Sequence, residues 1–243
     1  MPGRGHRTRV FGKAGKKIQH KKESGKRETI TALVTICADG TSIPPLIIFK
    51  AKAYLMQWLQ DNPLNCSIGY SQKGYIDGEI CLEWITHFDK YTKEKAAGRP
   101  RALIVDGHQS RFTAALIQYC RINNIILLCY ASHVTHVYQG LDVTCFGPLK
   151  ICYNEERAKF EKETGKEITK GKFIKLYAKA HVRALTPETI KAAFRKTGVW
   201  PYNPDAISPN VMKTSIETSC EGDGLPLAQY SPVRAVASLL RKV

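Results

Sequence analysis

The chain has 243 residues, 43% of them apolar, which is enough for one domain with a sizeable core. It carries 37 Lys and Arg against 21 Asp and Glu, a formal net charge of +16 and a pI near 9.5, a balance that favours a polyanionic partner over an acidic or neutral one. No run of 18 apolar residues occurs and the start is charged and glycine-rich, so neither a membrane span nor a secretory leader is expected.

Half of the charge excess sits at the start. Residues 1–28 hold ten cations (Arg4, Arg7, Arg9, Lys13, Lys16, Lys17, Lys21, Lys22, Lys26 and Arg27) against two acids, a net +8, together with five glycines. Such a segment cannot bury a core and is predicted to be a basic disordered arm that meets phosphate backbones by counterion release. The plainer reading is a solvated tail that aids solubility.

From Thr29 to Cys37 the β-branched residues predict a strand, Asp39-Gly40 a hairpin turn and Ser42 to Phe49 its partner. Pro44-Pro45 should keep the start of that partner at an edge or off the ladder, because proline has no N–H to give. Ala53 to Gln60 suggests a short helix ended by Asn62-Pro63. Ile80, Trp84, Phe88 and Tyr91 mark the apolar stripe of a helix from about Asp77 to Ala97. Asp39 and Asp77 are read as turn residues.

Ala102-Leu103-Ile104-Val105 is an apolar run of the fully buried kind that stops at Asp106-Gly107. Ile125 to Tyr130 is a second such run, after which the chain travels irregularly to Leu141-Asp142. Between them Phe112, Ala115, Leu116, Tyr119 and Cys120 recur at one-faced helical spacing. A strand, helix and strand of this length make a right-handed parallel crossover. Parallel sheets present functional groups beyond the C-terminal strand ends, so Asp106 and Asp142 should converge. Two carboxylates brought together need a neutralising cation, and hard oxygen ligands suit Mg²⁺ or Mn²⁺.

Further on, a charged helix is predicted from Leu149 to Glu163, with Cys152, Tyr153 and Phe160 facing inward. Thr186-Pro187-Glu188 reads as a helix start and Gly198 as its C-terminal stop. Trp200 is read as a packing residue rather than a base-stacking platform. Residues 205–243 lack periodicity until Val233 to Leu240 and are expected to be mostly disordered. The eight cysteines are scattered without a Cys-x-x-Cys pair, which fits a reducing interior. Cys37, Cys120 and Cys129 are read as small core residues. His133 and His136, with Cys129 and Cys145 nearby, lack paired-cysteine spacing, and zinc is not assigned.

Asp106 to Ser110, His133 to Asp142, Phe146 to Lys150, Ile36 to Gly40, Ile43 to Lys50, Glu83 to Phe88 and Phe194 to Pro204 together resemble the DDE superfamily endonuclease domain. The likeness is to the transposases of the pogo, Tigger and jerky group, to which centromere-binding protein B is also similar, and it runs from about Arg27 to Pro204.

This resemblance implies an α/β, ribonuclease-H-like mixed sheet with flanking helices, over a partial domain at 29–204. It implies a catalytic and metal-binding role for Asp106 and Asp142, similar to the second and third acids of a set that holds two Mg²⁺ or Mn²⁺ ions. The first acid, expected within an Asp-Glu-Thr-Gly-like motif, has no counterpart, and only Glu23 and Glu28 precede Asp39. The first strand of the domain is therefore read as missing or incomplete.

The family's Pro-Pro-His reads Ala131-Ser132-His133 here, and its Gln-Pro-Leu-Asp reads Gln139-Gly140-Leu141-Asp142, so the loop aiming Asp142 is expected to be more flexible. His133 and His136 become candidates for contact with DNA phosphate or the third carboxylate. For His108 a loop histidine held by local hydrogen bonds is the plainer reading. The expectation is a nuclear, DNA-binding, transposase-derived protein that is catalytically incomplete, with no membrane partner and with self-association left open. The alternatives are an active metal-dependent endonuclease, completed by an upstream carboxylate or by Glu23 or Glu28, and a non-enzymatic interaction scaffold.

Overall fold

The computed structural model describes residues 29–106, 113–130 and 135–207. The basic arm and its ten cations, Glu23, Glu28, Gly107 to Phe112 with His108, His133, and the tail beyond 207 lie outside the described residues. The chain is a mixed α/β structure with two small sheets.

Strands β1 (Ile30–Ile36) and β2 (Ser42–Lys50) form the predicted hairpin, antiparallel, with Leu33 opposite Leu46 and Thr35 opposite Ile43. Gly40 turns it at φ 96°, a conformation that suits glycine. Pro44 and Pro45 fall where the register shifts, so the two missing donors break no ladder bond. The carbonyl of Pro44 instead accepts from His87 Nε2 at 2.7 Å. A strand not anticipated from the sequence, β3 (Ser67–Ser71), pairs parallel with β2 and makes β2 central.

Being central, β2 is buried on both faces. Ile43, Leu46 and Ile48 join α1 (Gly78–Ala96) in one cluster, whereas Ile47 and Phe49 face another built on α4 and α5. Ile47, Ile48 and Phe49 are each 0% exposed, worth about 1.5–3 kcal/mol apiece in transfer from water. Asp77 caps α1, accepting from the Ile80 amide at 3.0 Å, a more specific role than the turn residue expected. The predicted helix at 53–60 is only a 3₁₀ turn, Met56–Trp58, whose Trp58 stacks on Phe49 at 4.4 Å.

The second sheet is the crossover: β4 (Arg101–Val105), α2 (Ala114–Ile122) and β5 (Ile125–Cys129), with the strands parallel and Val105 opposite Cys129. Leu116 and Cys120 of α2 are buried as the stripe requires, but Ala115 is exposed. The strands are not buried on both faces as their apolar runs suggested. Ile126 is 52% and Leu128 45% exposed, and Cys129 is exposed rather than a core residue. The cause is that α2 covers one face of this pair, while no described helix packs fully on the other.

After β5 come a short helix α3 (Thr135–Tyr138), a π-helical turn (Leu141–Cys145), α4 (Phe146–Thr164), α5 (Lys170–Ala184) and α6 (Pro187–Lys196). Gly165 in the left-handed region ends α4 and lets α5 fold back on it. Thr186 caps α6 with Pro187 in its first turn, as the sequence indicated. Trp200 is 59% exposed, which corrects the packing role assigned to it.

Within α5, His181 is 4% exposed and lies between Ser42 Oγ (3.2 Å) and Tyr177 Oη (3.3 Å). Burial pushes its pKa down to about 4. The unfolded chain takes up a proton here as pH falls through about 6.5, whereas the folded one does not until about pH 4. This histidine's contribution is therefore present above pH 6.5 and is lost as pH drops toward 4, a loss of about 3 kcal/mol. Denaturant melts at pH 7 and pH 4.5 should show His181→Gln losing less stability over that interval than the parent chain. Equal losses would show that His181 is not the titrating group.

Candidate functional site

Asp106 follows directly on β4, and the Tyr130 amide donates to the Val105 carbonyl at 3.0 Å, so both strands of the crossover end at one level. Asp142 does not stand at a strand end. It lies in the π-helical turn, where its amide donates to the Gln139 carbonyl at 3.0 Å, and the turn runs straight into α4. The two acids nonetheless act on one another. The Asp142 carboxyl is held above the usual range, first by desolvation and also by the Asp106 charge, against the opposing pull of Lys150. Asp142 is exposed on its outer side, so the desolvation comes from the side facing the fold.

The turn that carries Asp142 is fixed rather than loosened by its glycine. Gly140 has φ −55° and ψ −30°, ordinary helical backbone. A Cβ there would meet the Ala193 carbonyl oxygen at 3.0 Å and the Ala193 Cβ at 3.1 Å. The glycine thus permits a close approach to α6, and the flexibility expected of it is not what the backbone shows. Cys145, at the end of the same turn, is 0% exposed with its thiol pushed up to about 11, which makes it a packing residue rather than a metal ligand.

Of the residues assigned from sequence, the structure brings together Asp106 and Asp142. His136 falls in α3, while His133 and all ten arm cations lie outside the described residues. Lys150 was not singled out beforehand, although it stands within the Phe146 to Lys150 motif. It lies two helical turns beyond Asp142, the only signal that could have found it. Among the described residues, no group of three or more His, Cys, Asp or Glu side chains could hold a metal ion. The pair itself offers hard carboxylate oxygens and fits one Mg²⁺ or Mn²⁺; it does not supply the ligands for two adjacent ions.

A cleft of about 780 Å³ opens beside Asp106, lined by β1, β4, α1 and the chain around 139–141 and 194–200. It lies between the two sheets and reaches the level of the acids.

Comparison with known proteins adds the following. A family described as DDE superfamily endonuclease matches residues 26–194. The chain is 36% identical over 182 residues to the Cochliobolus lunatus protein named MFS-type transporter clz9, covering 74% of this chain and 20% of that one. It thus spans about a fifth of the length of that relative. No helix among the described residues is long and apolar enough to cross a membrane. No solved structure matches.

Proposed function

Because the chain belongs to the DDE superfamily endonuclease family, we propose that it is a DNA-binding, transposase-derived protein whose cleavage centre is incomplete. The observation that carries this reading is the coupling of Asp106 and Asp142, which makes them a pair at the end of β4 without a third acid among the described residues. In this reading the domain at 29–204 is ribonuclease-H-like and of the pogo, Tigger and jerky type, flanked by the arm at 1–28 and the tail at 205–243. DNA is the partner and the nucleus the place of action.

Asp106 and Asp142 would hold one Mg²⁺ or Mn²⁺, whose chemistry is to neutralise charge on a phosphodiester. The cost of bringing the two carboxylates together is already visible in the raised Asp142, and a cation relieves it. Lys150 offsets part of the same repulsion and so competes with metal for the role. A pair cannot keep two cations side by side against their repulsion, and cleavage needs both the attacking and leaving oxygens stabilised. The arm cations Arg4, Arg7, Arg9, Lys13, Lys16, Lys17, Lys21, Lys22, Lys26 and Arg27 would supply affinity without sequence readout.

The test is a nicking assay on supercoiled plasmid with Mg²⁺ or Mn²⁺, run beside a Mn²⁺ titration. The expected result is weak metal binding that Asp106→Asn abolishes, and no nicking. Metal-dependent nicking that disappears in Asp106→Asn would show a complete centre, with Glu23 or Glu28 the first acids to examine. Loss of metal sensitivity to Asp106→Asn would remove the pair from the reading altogether.

A further inference from the structure

Two sheet edges face one cleft. In the three-stranded sheet β1 is an edge strand, and in the two-stranded sheet β4 has one paired side. Residues 33–39 along β1 and all of Arg101 to Asp106 line the same cavity. The strands run in opposite directions there. Asp39, just past the end of β1, meets Lys95 at 3.1 Å, close to where β4 begins, while Asp106 ends β4 at the other mouth.

The cleft has the dimensions of one strand. A strand residue in a sheet fills about 3.3 Å along the chain, 4.8 Å between neighbours and 10 Å across the layer, or roughly 160 Å³. A cavity of about 780 Å³ therefore admits roughly five residues, and β4 itself has 5. The space has a floor and a roof. Trp84, Phe88 and Leu116 of α1 and α2 line it on one side, Leu141, Phe194 and Val199 on the other.

The walls are apolar, yet β1 and β4 each present a row of backbone donors and acceptors to them. Such rows are stable only when paired. Gln139 lines the cleft too, and its Oε1 is buried without a hydrogen-bond partner among the described residues.

We propose that this cleft is a strand-accepting slot. It takes an extended peptide segment of about five residues from a partner protein, apolar on both faces, which pairs with β1 and β4 at once and joins the two sheets into one. A free apolar small molecule would satisfy the walls but not the two backbone rows, and a helix is too wide for a gap of one strand. Pairing is antiparallel with one edge and parallel with the other, because the edges oppose each other. Apolar side chains on both faces are required because both faces of the inserted strand are covered, as for central strands of α/β sheets. Of the residues 1–28, Val10, Phe11 and Ile18 are the large aliphatic and aromatic ones besides Met1, too few and too dispersed to make that run. The proposal does not depend on DNA binding or on the metal pair.

The test uses the full chain and two synthetic peptides with five consecutive aliphatic residues between charged ends, one of them N-methylated at alternate backbone positions. Amide hydrogen exchange is followed along the chain. The expected result is at least tenfold slower exchange along both β1 and β4 with the unmodified peptide, no change at the outer edges of β3 and β5, and no protection from the methylated one. Equal protection by the methylated peptide would show an apolar pocket without strand pairing and overturn the proposal. So would protection of one edge alone, general protection of every edge, or no protection. Edges already protected in a concentration-dependent dimer without peptide would give the slot to a second copy instead, and would also overturn it.

Discussion

Deleting residues 1–28 is expected to flatten the salt dependence of duplex DNA binding by as much as about 9 in the slope of log affinity against log salt. Each phosphate contact contributes about −0.9 to that slope, and the segment holds ten Lys and Arg. The segment carries +8 of the +16 net charge, so the shortened chain keeps a positive field and should still bind, weakly, at low salt. The loss should be the same on unrelated duplexes, because backbone contacts carry no sequence information. Fluorescence anisotropy between 50 and 200 mM salt reads the effect; six to ten contacts correspond to about 10³–10⁵ in affinity over that range. A truncated chain with the parent slope would show that the described domain, not the arm, meets the phosphates.

The largest expected effect on stability comes from Asp89. Its Oδ1 lies 2.6 Å from Arg101 Nη1, with the two side chains 10% and 11% exposed. Arg101 also donates to Thr92 Oγ1 at 3.0 Å and to the Asn123 carbonyl at 2.5 Å, and Tyr119 Oη reaches Asp89 Oδ2 at 3.4 Å. One guanidinium thus ties α1 to the end of α2 and to the first residue of β4. Asp89→Ala leaves that charge buried without its counter-ion, a change of about 3–5 kcal/mol. Replacing both partners with apolar residues of similar volume should restore much of the loss, since the pair itself gains little over good packing. Urea midpoints for the single and double variants distinguish the two terms. A single variant within 1 kcal/mol of the parent would show that water reaches the guanidinium.

Much of the fold follows from local chemistry. The β1–β2 hairpin is written in β-branched residues around Asp39-Gly40, and α6 in the Thr186-Pro187 start. Those signals act within a few residues, and no distant contact has to decide them. β3 and α5 were not anticipated, for different reasons. Ser67 to Ser71 is short and polar, and becomes a strand because β2 offers it a ladder. The apolar stripe of α5, through Ile174, Tyr177 and Ala184, is interrupted by lysines and becomes evident once α4 and β2 supply its other side.

The site divides in the same way. The sequence by itself determined the family, the charge asymmetry, and the identity of Asp106 and Asp142 as the paired acids, because motif order and residue type are local properties of the chain. Only the tertiary structure decided that Asp142 rides on a helical turn and that Gly140 is there for contact with Ala193. It also decided that β4 and β5 leave one face uncovered and that β1 and β4 present unpaired edges to a common cleft. Each of these depends on distances between segments far apart in sequence. Periodicity reports which face of a strand is apolar, but only packing determines what, if anything, covers it.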